Sequence, residues 1–163
     1  MSNPITMWSS ICSRKPRGWT NPSLGVCPEL HHSRGKRLIA LIDSWAWVEF
    51  FAGSKTGETV KTYLMDEDQE IIISSINLAE IYRIALDRFD EQTAEKRRRA
   101  MISRCYLISV DEEIAIKGAK FRHERVWGLG DAIIYATAIR EGAKVLTGDP
   151  HFKGLKDVIF LGD

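Results

Sequence analysis

The sequence predicts an α/β protein in which helices cover both faces of a parallel sheet. Five apolar runs of strand length alternate with segments of helix length, as in successive βαβ units. The length of 163 residues, with 44% hydrophobic and 28% charged residues, suits one globular domain with a substantial core. No internal repeat and no clear second domain interrupts the alternation.

The predicted strands are short apolar runs, and they comprise residues 37–42, 70–74, 105–110, 144–147 and 157–161. The predicted helices comprise residues 45–52, 56–65, 77–89, 90–104, 111–126 and 131–142. In the third of these helices, apolar residues recur at three- and four-residue spacing. An acidic cluster begins the fifth helix, where it suits the positive helix N-terminus, and Gly142 ends the sixth.

The first 36 residues differ in composition from the rest of the chain. They hold four of the five prolines and show no sustained periodicity, which predicts a poorly ordered extension before a domain of residues 37–163. Residues 1–37 carry six basic residues and one acidic residue, so this arm has a net charge of +5. A basic arm can bind nucleic acid, but a solvated tail is the simpler interpretation. Two cysteines and two histidines there lack the paired spacing of a zinc site: Cys12, Cys27, His31 and His32.

Hydropathy and cysteine usage predict a cytoplasmic protein. The longest apolar runs have the length of strands, so no membrane span is expected. The first residues lack the basic and apolar regions of a secretory signal, and three scattered cysteines do not make a disulfide framework. A reducing intracellular compartment therefore fits the chain.

Four acidic residues follow apolar runs or lie in the first turns of apolar helices: Asp43, Glu80, Asp131 and Asp149. Asp43 comes directly after the first predicted strand, and Asp149 follows the fourth. The carboxyl ends of parallel strands form one crevice, where ligands bind. Carboxylates gathered in such a crevice repel one another, and Mg²⁺ or Mn²⁺, which prefer oxygen ligands, would remove that cost. The pattern therefore predicts a metal-dependent phosphodiesterase.

Each of the four acids also has a simpler interpretation when it is considered alone. Asp43 and Asp131 stand where a residue would cap the helix that follows. Glu80 fits an ordinary exposed helix face, and Asp149 fits a turn in the string Thr-Gly-Asp-Pro. The case for a metal site depends on the joint arrangement, in which most of these acids fall at the same predicted edge of the sheet.

Four strings in the chain resemble the PIN-domain ribonucleases, and most closely the VapC-type toxins of toxin–antitoxin pairs. These strings are LIDSWAWVEFF around Asp43, SSINLAEIYR around Glu80, GLGDAIIYATA around Asp131 and VLTGDPHF around Asp149. The successive gaps between the acids, of 37, 51 and 18 residues, fit as well. The resemblance runs from about Leu38 to the C-terminus, and the long basic arm before it departs from the family pattern.

The resemblance implies a three-layer α/β/α sandwich with a short parallel sheet. It also implies an endoribonuclease in which the acids Asp43, Glu80, Asp131 and Asp149 hold Mg²⁺ or Mn²⁺. Ser44 and Thr147 fall where the family often has a small hydroxyl that steadies the acidic site. The implied protein is a toxin, inhibited by a cognate antitoxin that lays a helix in an apolar groove, and it forms a homodimer.

Several basic and aromatic side chains are candidates for binding RNA. Arg122 and Arg125 precede the Gly-Leu-Gly loop before Asp131 and could contact phosphates. The four consecutive basic residues 96–99 point in several directions on a helix, so a solvated face is the simpler interpretation. Trp45 and Trp47 could stack on a base, or could pack within their own helix.

Two other functions fit parts of the pattern. A phosphatase of the haloacid-dehalogenase type needs a second aspartate two residues after the first, and this chain has Trp45 there. A non-catalytic RNA- or protein-binding module on the same fold is the other alternative. The loss of one acid would have favoured that module, and all four acids are present.

Overall fold

The computed structural model describes residues 38–162, which form a five-stranded parallel sheet with helices on both faces. The strands are β1 (Ile39–Ile42), β2 (Glu70–Ser74), β3 (Tyr106–Ile108), β4 (Lys144–Thr147) and β5 (Val158–Phe160). They lie in the order β3-β2-β1-β4-β5, and every neighbouring pair is parallel. The predictions for residues 1–36, including the cysteines and histidines there, lie outside the described residues.

The helices are α1 (Ser44–Ala52), α2 (Lys55–Met65), α3 (Ser75–Arg88), α4 (Glu91–Arg104), α5 (Glu112–Glu124) and α6 (Leu129–Arg140). A short 3-10 helix, Pro150–Phe152, follows β4. All the predicted strands and helices are present, with changes at their ends. β3 begins one residue later than the predicted run because Cys105 is still the C-cap of α4, and it ends at Ile108 instead of residue 110. α6 begins two residues before Asp131, because Gly128 is its N-cap.

The two faces of the sheet bury two separate cores. Side chains alternate between the faces of a strand, so Ala40 and Ile42 pack on one side and Leu41 on the other. The same alternation separates Ile71 and Ile73 of β2 from Ile72. Helices α1–α4 cover the first face, and α5 and α6 cover the second. The three-layer α/β/α sandwich is thereby confirmed.

The strand order places a topological switch point between β1 and β4. From β1 the chain proceeds to β2 and β3 on one side of the sheet, whereas β4 and β5 lie on the other side. The backbone N–H of Asp43 donates to the carbonyl of Leu146 at 3.1 Å, so the two strands remain paired up to their carboxyl ends. Ligands of open parallel sheets bind in the crevice at such a point.

The opposite edge of the sheet, at the amino end of β2, is closed by a buried arginine. The Arg104 guanidinium, at the end of α4, donates to the carbonyls of Leu64 at 2.6 Å, Asp66 at 2.8 Å and Gln69 at 3.1 Å. These hydrogen bonds hold the turn between α2 and β2 against the end of α4. Within residues 38–162, no helix combines the length and apolar character needed to cross a membrane.

Candidate active site

Asp43 lies at the carboxyl end of β1 with only 3% of its surface exposed. It occupies the N-cap position of α1, but its side chain makes no capping hydrogen bond. Its Oδ2 instead accepts a hydrogen bond from the Thr147 hydroxyl at 2.8 Å, across the gap between β1 and β4. The Thr147 Oγ1 in turn accepts from the backbone N–H of Asp149 at 3.0 Å. Thr147 therefore links two of the four acids, as a hydroxyl that steadies the site would.

Glu80, on α3, is held by Ser44 at the start of α1. The Ser44 hydroxyl donates to Glu80 Oε2 at 2.5 Å, and the Asn77 amide donates to Ser44 Oγ at 3.0 Å. Asn77 is completely buried, and its Oδ1 accepts from the backbone N–H of Ser74 at 2.9 Å. Glu80 is therefore part of a connected hydrogen-bond network and not an ordinary exposed residue of its helix.

Asp131 is the third residue of α6 and lies where this helix approaches Glu80 closely. A Cβ atom added at Gly130 would lie 2.6 Å from Glu80 Oε1, so a larger residue there would displace this carboxylate from its present position. The backbone of Gly128, the N-cap of α6, hydrogen-bonds Asp131 and opposes the rise of its pKa. The capping interpretation of Asp131 thus holds in part, but the charge of the same residue also raises the pKa of the partly buried Glu80.

Asp149 follows β4 and begins the 3-10 helix. Its Oδ1 accepts from the backbone N–H of His151 at 2.9 Å and lies 2.8 Å from the Nδ1 of the same residue. The turn interpretation of Asp149 is correct as local structure. It does not exhaust the role of the residue, because the charge of Asp149 also raises the pKa of Asp131.

The pKa values show that these acids form one electrostatic cluster. Burial raises the pKa of Asp43 from 3.8 to about 7, and the charges of Asp131 and Glu80 add to this rise against the opposing hydrogen bonds from Thr147 and Ser44. Burial and then the charge of Asp131 raise the pKa of Glu80, although Ser44 opposes this rise. The pKa of Asp131 is raised by burial and by Asp149. Ionising the cluster is therefore unfavourable without a compensating positive charge.

The donor set fits a hard divalent cation in its chemistry. Every candidate ligand is a carboxylate, and Mg²⁺ and Mn²⁺ prefer oxygen donors. Within residues 38–162, no three acidic, histidine or cysteine side chains are already close enough together to hold a metal ion. Neighbouring carboxylates nevertheless help burial to raise the pKa of Asp43, Glu80 and Asp131, and a cation would relieve that cost.

Comparison with known proteins bears directly on this geometry. A model of the PIN domain matches residues 40–158 of the chain. The chain belongs to the PIN-domain family. The match spans both strands of the switch point and all four acids.

Two curated relatives of this PIN domain are ribonucleases. VapC ribonuclease Mb1587 of Mycobacterium bovis and ribonuclease VapC11 of Mycobacterium tuberculosis are each 31% identical to it over 123 residues. The alignments cover 70% of this chain and 89% of each relative. The resemblance to VapC-type ribonuclease toxins is confirmed.

A solved structure with the same fold comes from a toxin–antitoxin complex of Klebsiella pneumoniae. It matches this PIN domain with a TM-score of 0.63 and 26% sequence identity. The match covers 76% of this chain and 98% of that chain.

The two arginines predicted to contact RNA are exposed near the N-terminus of α6. Arg122 Nη1 donates to the carbonyl of Trp127 at 3.0 Å. The Arg125 guanidinium lies over the Trp127 ring, 5.0 Å from its centroid. Trp127 directly precedes Gly128, so both cations are held next to the helix end that carries Asp131.

Among the other candidates for RNA binding, some side chains are buried in the protein and others are partly exposed. Trp47 is completely buried and stacks on Phe51 at 5.6 Å, so the packing interpretation is confirmed for it and base stacking is excluded. Trp45 is partly exposed, and its ring lies against Gly148, where an added Cβ would be 2.4 Å away. The prediction of a solvated basic face is wrong for Arg97, which lies between the rings of Phe51 and Phe89 at 4.9 and 4.8 Å.

Sequence reasoning missed three residues that shape this site: Asn77, Gly130 and His151. The helical pattern predicts only that a helix begins at Asn77, and it assigns no role to this residue, which lies about one turn before Glu80. Gly130 fits a loop in the sequence, and its contact with Glu80 depends on how α3 and α6 pack. His151 lies two residues after Asp149, and the turn between them brings its Nδ1 within 2.8 Å of Asp149 Oδ1. The order of residues alone does not predict this contact.

Proposed function

We propose that this PIN domain is the endoribonuclease toxin of a toxin–antitoxin pair and hydrolyses RNA phosphodiester bonds with Mg²⁺ or Mn²⁺. The proposed metal ligands and catalytic residues are Asp43, Glu80, Asp131 and Asp149. One observation carries this assignment: at the switch point of the sheet, burial and neighbouring carboxylates together raise the pKa of Asp43, Glu80 and Asp131. A divalent cation bound there would supply a water of lowered pKa and neutralise charge on the phosphate.

The roles of the individual side chains follow from their hydrogen bonds. Thr147 fixes the Asp43 carboxylate through Oδ2, and Ser44 fixes the Glu80 carboxylate through Oε2. Because Oε2 of Glu80 is already bonded, we assign to its Oε1 the role of a ligand that faces the divalent cation. Asp43, Asp131 and Asp149 serve as the other ligands, since a cation would relieve the cost of burial and of the neighbouring Asp149, which together raise the pKa of Asp131.

RNA binding is assigned to the exposed arginines next to α6. Arg125 is held over Trp127 and Arg122 is held by the carbonyl of the same residue, so both guanidinium groups are positioned with little loss of side-chain freedom. Contacts of arginine with phosphate set the register of a nucleic acid and do not read its sequence. The variant Arg125→Ala should therefore weaken RNA binding without changing the cleavage position.

An antitoxin is the proposed protein partner, and α3 offers a surface for it. Leu78, Ala79, Tyr82 and Leu86 line an apolar groove on the same helix that carries Glu80. Leu86 is 45% exposed, so part of this surface lacks a covering element within residues 38–162. An amphipathic helix laid in this groove would bind α3, the helix that carries Glu80. The expected homodimer and the cytoplasmic location stay predictions.

A non-catalytic binding module is the alternative function. It would need neither a metal ion nor ionised carboxylates, and it is favoured only if the protein binds RNA without cleaving it. The retention of all four acids around one crevice supports the nuclease instead.

The decisive experiment is cleavage of a panel of structured and unstructured RNAs by the purified protein with Mn²⁺, with Mg²⁺ and with EDTA. The variant Asp43→Asn is compared with Asp68→Asn, which changes an exposed acid at the opposite edge of the sheet. We expect metal-dependent cleavage that Asp43→Asn reduces about 100- to 1000-fold and Asp68→Asn retains. Cleavage that survives EDTA, or full activity of Asp43→Asn, would contradict the assignment. If the protein neither cleaves the panel nor binds Mn²⁺, the binding module becomes the better interpretation.

A further inference from the structure

Asn77 has two different partners at the two ends of its amide. The oxygen accepts from the backbone N–H of Ser74 at 2.9 Å and so completes the capping box of α3. The nitrogen donates to the hydroxyl oxygen of Ser44 at 3.0 Å, and no capping function requires this second bond. A helix cap alone therefore accounts for only half of the contacts of this buried side chain.

The orientation of the amide is determined by its partners. A backbone N–H can only donate, so the atom of Asn77 that faces Ser74 must be the oxygen. The nitrogen then faces Ser44, and its N–H donates to a lone pair of the hydroxyl oxygen. Asn77 is completely buried, so water does not compete for either end.

The fixed amide determines where the single hydroxyl proton of Ser44 points. Because Ser44 Oγ accepts from Asn77, its proton is directed to Glu80 Oε2, at 2.5 Å. With Oε2 bonded, Oε1 is the oxygen of Glu80 that remains toward Gly130 and the start of α6. That helix end carries Asp131, so the hydrogen-bond chain selects which oxygen of Glu80 is presented to the acidic crevice.

We propose that Asn77 is a positioning residue for metal binding: acting through Ser44, it orients the Glu80 carboxylate so that Oε1 faces the site of the divalent cation. The proposal deepens the assignment of this crevice as a metal-dependent nuclease site and rests on it. Groups that orient a metal ligand from behind typically contribute about 10- to 100-fold to metal affinity.

The test is Mn²⁺ affinity, measured on the purified full chain by electron paramagnetic resonance of free Mn²⁺ during a titration. Asn77→Leu removes both ends of the amide at nearly constant size, and Ser44→Ala removes the hydroxyl through which Asn77 acts. The double variant tests whether the two residues act in one chain. The control is Asp90→Ala, which removes the N-cap of α4, a capping contact on a helix that carries none of the four acids. Thermal unfolding shows in each case that the measured protein is folded.

We expect Asn77→Leu and Ser44→Ala each to weaken Mn²⁺ binding about 10-fold. The double variant should lose about as much affinity as the more affected single variant, because both changes break the same chain. Asp90→Ala should lower the melting temperature without changing Mn²⁺ affinity. Wild-type affinity in folded Asn77→Leu, or losses that multiply in the double variant, would overturn the role of Asn77 and leave the nuclease assignment intact. Failure of the wild-type protein to bind Mn²⁺ would overturn the assignment of the metal site, and this inference with it.

Discussion

The two edges of the sheet each bury one charged side chain, and they compensate it in opposite ways. Arg104 at the amino edge donates to three backbone carbonyls, which are fixed dipoles of the right sign. Asp43 at the carboxyl edge has the Thr147 hydroxyl and a backbone N–H as donors, while Glu80 and Asp131 oppose its ionisation. These are the two buried charged residues of the described range 38–162.

The difference separates a structural charge from a functional one. A buried cation surrounded by oriented carbonyls is stable as it stands, and it locks the turn between α2 and β2. A buried carboxylate among other carboxylates is incomplete, because burial and repulsion both favour its neutral form. A bound cation would relieve the free-energy cost of ionising Asp43 at the carboxyl edge. We therefore take the carboxyl edge as the candidate site and assign a structural role to the amino edge.

The largest expected contrast is in the pH dependence of stability. The pKa of Asp43 is 3.8 in its ordinary state and about 7 in the folded protein. Between these values the native state holds a proton that the unfolded chain has lost, so the free energy of unfolding falls as the pH rises. The fall from this group alone reaches up to about 4 kcal/mol and ends above the folded-state pKa.

Urea unfolding of the metal-free protein between pH 4 and pH 8 measures this effect. We expect Asp43→Asn to remove most of the slope and to be more stable than the wild type at pH 8. Parallel curves for the two proteins would contradict the raised pKa of Asp43.

The next effect concerns the amino edge. Arg104→Met leaves three carbonyls without their buried donor, and we expect a loss of about 3 kcal/mol in the free energy of unfolding. Arg104→Lys should lose less, because it keeps the charge but not the planar arrangement of donors. Equilibrium unfolding in urea measures both, and RNA cleavage per folded molecule should be unchanged. A loss of cleavage in folded Arg104→Lys would show that the two edges are coupled.

A smaller effect on stability is expected from metal binding, and it should depend on the carboxyl edge and not on the amino edge. A cation that binds only the native state at about 100 times its Kd adds about 2.7 kcal/mol to the free energy of unfolding. We expect Mn²⁺ to raise the melting temperature of the wild type and of Arg104→Lys, and to leave that of Asp43→Asn nearly unchanged. Equal shifts in all three proteins would place the cation elsewhere.

The smallest expected effect is that of the N-terminal segment. Deletion of residues 1–36 should change the free energy of unfolding by less than about 0.5 kcal/mol, because the sequence predicts an extension without a core of its own. Chemical denaturation of the full and shortened chains measures this difference. A cooperative loss of several kcal/mol would show that the segment packs on the domain.

Much of the fold and the chemical identity of the candidate site could be predicted from the sequence. Short apolar runs located the strands, and apolar residues at three- and four-residue spacing located helices, because both patterns can be read directly from the order of residues. The position of Asp43 and Asp149 after two apolar runs indicated the edge where the acids gather. The PIN-domain resemblance rested on the same strings.

Tertiary structure alone decided which neighbours each acid has. The pairing of Asp43 with Thr147 joins residues 104 positions apart, and the bond of Ser44 to Glu80 spans 36 positions. Asn77 and Gly130 became part of the site only because α3 packs against α1 and α6 at the switch point. Local sequence sets the period of each element, whereas a pKa or a hydrogen-bond partner depends on distances between elements, which only packing fixes.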